Sequence, residues 1–160
     1  MILNNSVYSK IVTLQSFNFA RVVNILFECD VKKVKLKDIY LLRADNRRNN
    51  DSWDIESSRR RGVYALFLGD KLLKIGQAAD NSSGVFHRMS QYYRETDGKC
   101  KYINSKNKNH ISVEYFNLEL VEECWAAEKL LQGVAFFMGE KMPWEEKERH
   151  RGGKNNETIL

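Results

Sequence analysis

Two short apolar runs, GVYALFL at residues 62–68 and LLKIGQ at residues 72–77, are separated only by the tripeptide Gly-Asp-Lys. Each run has the length of a β-strand, and a Gly-Asp pair between two such runs is typical of a hairpin turn. Pairing the runs brings the phenol of Tyr64 and the amine of Lys74 onto neighbouring strands. The sequence therefore predicts an antiparallel hairpin that carries two side chains capable of chemistry.

Helices and one more strand are predicted around this hairpin. Apolar residues at helical spacing predict helices over residues 16–29, 84–95 and 119–138, with Ser16 as the N-cap of the first. Residues 111–118 alternate apolar and polar side chains and predict a third strand. We therefore expect an α/β (α+β) fold, in which helices flank a small three-stranded antiparallel sheet.

Composition along the chain suggests three parts. Residues 1–60 are expected to form a helical N-terminal extension with a basic loop, within which residues 33–42 fit either a short helix or an edge strand. Residues 43–61 have the polar composition of a loop or linker. Residues 61–148 are expected to form the core domain, and the charged residues 149–160 a flexible tail.

Composition also excludes several classes of protein. Hydrophobic residues make up 42% and charged residues 29%, which fits a folded domain and excludes wholesale disorder. No run approaches the roughly 18 consecutive apolar residues of a membrane span, and the first residues lack a secretory pattern. Cys29, Cys100 and Cys124 include no C-x-x-C pair, so we interpret them as reduced thiols. We expect a cytoplasmic protein, bacterial or phage-encoded, without membrane association.

Basic residues concentrate in two polar stretches, residues 43–61 and 99–110. The net charge of +5 is compatible with a polyanionic partner. Both stretches also contain Asn, Ser and an aromatic residue, a mixture suited to phosphate contact and base stacking, although two solvated loops are the alternative. The residues expected to contact nucleic acid are Arg47, Arg48, Arg59, Arg60, Arg61, Lys101, Lys106 and Lys108.

An ordered set of residues resembles the GIY-YIG nuclease superfamily, which includes homing endonucleases, a repair incision domain, restriction enzymes and phage nucleases. The set is the Gly-x-Tyr of residues 62–64, the Ile-Gly of residues 75–76, Arg88, Tyr92 and Glu128. The resemblance extends over about half of the chain. It implies hydrolysis of phosphodiester bonds in double-stranded DNA with one divalent cation, Mg²⁺ or Mn²⁺, and it is compatible with a homodimer.

The resemblance implies a role for each polar side chain of the hairpin and the helix after it. Tyr64 would lie beside the attacking water and act as the general base or relay to it. Lys74, which stands where many members have a second tyrosine, would stabilise the phenolate of Tyr64 by its charge. Arg88 and Tyr92 are four residues apart and share a helix face, so Arg88 would hold the scissile phosphate while Tyr92 supports it. The ordinary alternatives are a packed tyrosine, an exposed strand lysine and a surface arginine.

Glu128 lies on a predicted apolar stripe of its helix. The other members of that stripe are Val121, Cys124, Trp125, Leu131 and Ala135. A carboxylate among them must be paired, protonated or bound to a cation, because an isolated buried charge is very costly. The resemblance implies that Glu128 binds the metal, with waters completing the shell. An ion pair with Arg or Lys is the alternative.

One departure from the family pattern follows this helix. Many members carry an asparagine near a Pro-aromatic pair, whereas Glu145 follows Pro143 and Trp144 here. Two other functions therefore stay open beside the nuclease. One is a catalytically silent nucleic-acid-binding module of the same fold, and the other is an intracellular interaction protein in which the same polar side chains form a structural network.

Overall fold

The predicted hairpin forms one side of a four-stranded antiparallel sheet. The structure, a computed structural model, describes residues 5–39, 53–79, 84–94 and 102–144. Its strands in chain order are β1 (Lys32–Lys35), β2 (Gly62–Leu68), β3 (Lys71–Gln77) and β4 (Ile111–Asn117). Across the sheet their order is β1-β4-β2-β3. The hairpin β2–β3 and the strand at β4 are confirmed.

The expected number of three strands is wrong, because residues 32–35 add a fourth. Val34 lies opposite Val113 of β4 and points into the core, while the lysines on either side of it are exposed. By sequence, residues 33–42 fit either a short helix or an edge strand, and in the structure residues 32–35 form an edge strand. A four-residue segment with one apolar side chain has too little periodicity to decide between the two. Pairing with β4, rather than local pattern, determines its conformation.

Helices lie on both sides of the sheet. Those of the described residues are α1 (Asn5–Val12), α2 (Phe19–Phe27), α3 (Ile55–Ser58), α4 (Gly84–Tyr93) and α5 (Val121–Phe137). The N-cap of α2 is Asn18, whose side chain accepts a hydrogen bond from the backbone of Arg21 at 3.1 Å, so the prediction of Ser16 is wrong. Helix α3 lies in a segment predicted to be loop, and Asp54 caps it.

The two faces of the sheet pack against different helices. The face that we call the tyrosine face carries Tyr64 and Tyr115 and packs against α4 through Val85 and Met89. The opposite face, which we call the α5 face, carries side chains such as Phe116 and packs against α5 and α2. Because side chains alternate along β2 and β4, each strand contributes to both cores, as its sequence predicts.

The segment before β2 is fixed to the tyrosine face. The side-chain amide of Asn117 donates to the carbonyls of Ser57 and Arg61 at 2.8 and 3.1 Å. The indole of Trp53 stacks on Tyr115 with ring centroids 5.9 Å apart, and its N–H donates to the carbonyl of Lys35 in β1 at 3.1 Å. The arginines that follow are therefore presented from an anchored segment and not from a loose linker.

Gly84, the first residue of α4, packs against this segment. Its φ is +53°, and an added Cβ would overlap the carbonyl of Arg60. The backbone N–H of Val85 donates to that same carbonyl at 3.1 Å. A glycine at this position thus allows the first turn of α4 to lie against residues 53–61.

Several sequence predictions fall on residues outside the described part of the chain. They concern Cys100, Arg47, Arg48, Lys101, Glu145 and the tail of residues 149–160. Within the described residues, no helix combines the length and apolar character needed to cross a membrane.

Candidate active site

Two tyrosine hydroxyls meet in the core of the tyrosine face. Tyr64 from β2 and Tyr92 from α4 are each 1% exposed, and their hydroxyl oxygens are 2.8 Å apart. The guanidinium of Arg88 lies over the ring of Tyr92, 4.8 Å from its centroid. The predicted common face of Arg88 and Tyr92 is therefore confirmed, and it faces Tyr64.

The glycine of the second motif has a steric function. Gly76 pairs with Tyr64 across the hairpin, and the tyrosine ring lies directly over the glycine backbone. An added Cβ would stand 2.5 Å from the Tyr64 hydroxyl oxygen and 2.7 Å from the ring carbon that bears it. The ring is enclosed by the core, so it has no space to move aside. Gly76 thus sets the position of the Tyr64 hydroxyl.

Lys74 is a buried lysine, not the exposed strand lysine of the ordinary interpretation. Its residue is 7% exposed, and it lies two positions before Gly76 on the face that carries Tyr64. A buried amine is expensive unless other groups solvate or neutralise it. Its place beside a buried phenol is the kind of environment from which functional sites are built.

Burial determines the pKa of Tyr64. Burial raises this pKa above its ordinary value of 10.0, while the charges of Lys74 and Arg88 and hydrogen bonds from Tyr92 and Arg88 act in the lowering direction. The net pKa is raised, so the phenol keeps its proton at neutral pH. We expected Lys74 to bring Tyr64 close to ionisation. The direction of its influence is right, but desolvation is the larger effect.

Glu128 lies on α5, one helical turn before Gln132. Its side chain is 17% exposed and accepts a hydrogen bond from Nε2 of Gln132 at 3.2 Å, with Nζ of Lys129 at 3.8 Å. The expected apolar stripe is wrong at Trp125, which is 48% exposed, because Ala127 faces the sheet instead. The short alanine lets the helix approach the strands closely. Glu128 consequently lies at the margin of the buried surface and not in its centre.

Gln132 was not expected from sequence, although it follows Glu128 by one helical turn. It is 4% exposed, and its Nε2 donates at 2.9 Å to the backbone carbonyl of Ile75 in β3. A buried amide between apolar neighbours, four residues after a candidate ligand, is the signal that could have identified it.

The carbonyl of Ile75 points to the open edge of the sheet. Hydrogen-bonded and non-hydrogen-bonded pairs alternate along an antiparallel ladder. The N–H of Ala78 donates to the carbonyl of Gly62, so Tyr64–Gly76 is a hydrogen-bonded pair and Ala65–Ile75 is not. The Ile75 carbonyl therefore faces away from β2. The side-chain amide of Gln132 hydrogen-bonds both to this carbonyl and to the carboxylate of Glu128. The residue after Ile75 is Gly76, whose backbone lies under the Tyr64 ring.

Arginines from the anchored segment lie beside the start of α4. The guanidinium of Arg59 lies over the ring of Phe86, 5.3 Å from its centroid. Arg60 pairs with the glutamate one turn before it in α3, and Arg61 donates to the carbonyl of Glu119 at 2.8 Å. Of the three side chains, that of Arg59 contacts the helix that carries Arg88 and Tyr92.

Lys106 and Lys108, the described lysines of the second basic stretch, occupy an ordered turn. The side chains of Asn104 and Asn107 hydrogen-bond to backbone within residues 102–107, and one 3₁₀ turn follows at Lys108–His110. Nζ of Lys108 donates to the carbonyl of Tyr93 at 3.4 Å and lies 4.7 Å from its ring centroid. Lys108 thus stabilises the C-terminal end of α4, while Lys106 is exposed.

A large groove lies away from these side chains. It has a volume of about 890 Å³ and runs between the start of α2, strand β1 and the hairpin turn at Gly69 and Asp70. Lysines and carboxylates line it in equal number, so it carries no net positive charge to attract a polyanion. We assign no function to it.

The described residues include no cluster of three His, Cys, Asp or Glu side chains that could hold a metal ion by protein ligands alone. Mg²⁺ does not require such a cluster, because it retains several waters and binds proteins through one or two carboxylates. Glu128 is a partly exposed oxygen donor at the edge of the site, so it fits this ion and its substitute Mn²⁺.

Comparison with protein-family models, with curated protein sequences and with solved structures found no match. The arrangement of the side chains is therefore the basis for any functional conclusion. That arrangement brings Tyr64, Lys74, Arg88 and Tyr92 together on the tyrosine face. Glu128 approaches the edge of the same hairpin from α5.

Proposed function

We propose that this protein is an endonuclease of the GIY-YIG type, which hydrolyses phosphodiester bonds in double-stranded DNA with the help of Mg²⁺ or Mn²⁺. The observation that carries the proposal is the buried hydroxyl pair of Tyr64 and Tyr92, with Arg88 over the Tyr92 ring and the buried Lys74 on the same face of the sheet as Tyr64. Two cations buried beside one hydroxyl are costly for a protein core, but they would stabilise a bound anionic group. A phosphodiester is such a group.

Arg88 and Lys74 are assigned to the phosphate. The guanidinium of Arg88 presents a planar set of donors that matches two phosphoryl oxygens, and the ammonium of Lys74 adds a compact charge. Both charges are held in place before substrate binds, which favours the more negative transition state over the ground state. These two residues would supply most of the protein's electrostatic stabilisation.

Tyr64 is assigned to the attacking water. Because its pKa is raised, its hydroxyl is neutral at physiological pH and orients the water by hydrogen bonding. The proton that this water gives up as it attacks phosphorus would pass to solvent and not to Tyr64. The hydrogen bond between the hydroxyls of Tyr64 and Tyr92 restricts the directions in which the Tyr64 O–H can point. This assignment replaces the general-base role that the resemblance implies.

Glu128 is assigned to the cation, which would lie at the open edge of β3. When bound, the cation supplies charge to the phosphoryl oxygens and to the leaving 3′ oxygen. The carboxylate of Glu128 is a hard oxygen donor, and Gln132 holds one of its oxygens towards the hairpin.

The duplex would contact the arginines beside α4 and the turn that carries Lys106. The guanidinium of Arg59 lies on α4 over the ring of Phe86, and Arg47, Arg48 and Lys101 belong to the same proposal. Contacts to phosphates release counterions, so affinity should fall by about 0.9 log unit per log unit of salt for each contact. A steep salt dependence would support DNA binding by either a nuclease or a silent module.

A silent DNA-binding module is the second candidate, and the enclosure of the two tyrosines favours it. At 1% exposure their hydroxyls are accessible only after a small rearrangement. In that case the polar cluster would stabilise the fold and the basic surface would bind DNA without cleavage.

Nicking of supercoiled plasmid with Mg²⁺, Mn²⁺ or EDTA separates the two candidates. We expect Glu128→Gln to reduce cleavage by about 100-fold or more, since lost metal stabilisation amounts to several kcal/mol. The control is Glu122→Gln, which changes an exposed carboxylate of the same helix. Both variants should bind DNA as the wild type does. Cleavage that survives in Glu128→Gln, or in EDTA, would contradict the assignment of the metal ligand.

A further inference from the structure

We infer that Gln132 is the positioning residue for the metal-binding carboxylate, an inference that rests on the proposed function of Glu128. Gln132 is one of the few buried polar side chains among the described residues, and its neighbours Leu131 and Ala135 are buried and apolar. An amide in such surroundings is retained only where its hydrogen bonds are made. Its partners therefore indicate its role.

Both partners of Gln132 accept hydrogen bonds from the same nitrogen. Nε2 is 2.9 Å from the carbonyl oxygen of Ile75 and 3.2 Å from Oε1 of Glu128. An amide nitrogen carries two hydrogens, so both bonds form at once. Because a carbonyl and a carboxylate can only accept, they also determine which end of the amide faces them. The side chain therefore has one orientation and links helix α5 to strand β3.

This link determines where the carboxylate lies relative to Tyr64. Ile75 precedes Gly76, and the backbone of Gly76 supports the Tyr64 ring. A shift of Gln132 would move Glu128 with respect to the hairpin, while Tyr64 would stay in the core. Loss of a donor that orients a metal-ligating carboxylate typically lowers the metal affinity by about 10–100-fold.

A purely structural role would consist of the bond to Ile75 alone. The carbonyl of Ile75 faces away from β2 and is buried under Gln132, and a buried carbonyl left without its hydrogen bond destabilises the fold. Such a role predicts lower stability without a change in metal affinity. A measurement of cation binding by the folded protein therefore distinguishes positioning from capping.

The experiment measures Mn²⁺ binding to the full chain by the electron paramagnetic resonance of free Mn²⁺. Gln132→Met keeps the length of the side chain and removes both hydrogen bonds. We expect its dissociation constant for Mn²⁺ to rise about tenfold, and the Mg²⁺ concentration for half-maximal cleavage to rise equally. Leu131→Val is the matched control, because it perturbs the adjacent buried position and leaves the amide intact. Its Mn²⁺ affinity should equal that of the wild type.

Glu128→Gln distinguishes the failure of this inference from the failure of the proposed function. If Glu128→Gln loses Mn²⁺ binding while Gln132→Met binds as the wild type does, Gln132 only caps the edge and the inference is wrong. If Glu128→Gln itself binds Mn²⁺ normally, the proposed metal site is wrong. Should Gln132→Met fail to fold, Gln132→Leu is measured against the same control and the same outcomes apply.

Discussion

The α5 face of the sheet buries aliphatic and phenyl side chains, whereas the tyrosine face buries three tyrosine hydroxyls and a lysine. The first arrangement maximises the apolar area removed from water and makes few directional demands. The second loses part of that gain to the desolvation of polar groups, which must then satisfy one another. The apolar side chains of the α5 face should therefore contribute mainly to stability, and the polar side chains of the tyrosine face mainly to activity.

The largest expected effect separates these two roles directly. Tyr64→Phe should lower the cleavage rate by about 100-fold, because the water loses its orienting hydroxyl. It should cost only about 1–3 kcal/mol of stability, since Tyr92 loses a buried hydrogen bond.

Leu131→Ala on the α5 face is the matching substitution. It should cost about 2–5 kcal/mol of stability through a cavity, while the folded fraction cleaves normally. Urea denaturation and single-turnover cleavage measure both quantities in each variant. If the two substitutions affected the two quantities in equal proportion, the division between the faces would be incorrect.

A glycine of the tyrosine face offers a sharper comparison. Gly76→Ala places a methyl group against the Tyr64 ring, so we expect a loss of about 1–3 kcal/mol from overpacking, with a displaced hydroxyl and reduced cleavage. Gly133→Ala in α5 meets no atom within 4 Å and should stabilise the protein by roughly 0.5–1 kcal/mol through helix propensity. Thermal denaturation tests both. An equally tolerated alanine at residue 76 would show that the ring moves freely.

The smallest expected effect concerns proton equilibria on the tyrosine face. The folded-state pKa of Tyr64 lies above its unfolded value of 10.0, so its contribution to stability is complete below about pH 10 and is lost as pH rises above it. Lys74→Met removes a charge that favours the phenolate and should raise this pKa further. Ultraviolet titration of tyrosine, with Tyr64→Phe as reference, measures the shift. A pKa that falls in Lys74→Met would contradict the arrangement of charges described above.

Local periodicity was sufficient for the parts of the fold with regular alternation. Strand β4 places Val113 and Tyr115 on one face and Phe116 on the other, and its sequence alternates accordingly. Strand β1 has only Val34 to indicate its orientation, so its existence depends on β4, which follows it at a distance in the chain. Non-local pairing is not encoded in a short window.

The candidate site was predictable in its residues but not in its energetics. Motif order identified Tyr64, Arg88 and Glu128, and the structure brings the first two together. The pKa of Tyr64 depends on burial by residues distant in sequence, which no local pattern reports. The rotation of α5 that exposes Trp125 depends on the small size of Ala127, because both residues are apolar and the helical pattern accommodates either.

The hydrogen bond that the indole of Trp53 donates to β1 limits which surfaces of this protein can associate with a second copy. The backbone N–H of Leu36 donates to the carbonyl of Ile111, so these two residues are a hydrogen-bonded pair that continues the ladder between β1 and β4. The carbonyl of Lys35, one residue earlier, therefore points away from β4, and the indole of Trp53 donates to it. Strand β1 is also short and rich in lysine, whose positive charges repel the same edge strand of a second molecule. Continuation of the sheet into a neighbouring molecule is disfavoured there, and a homodimer would have to use a different surface.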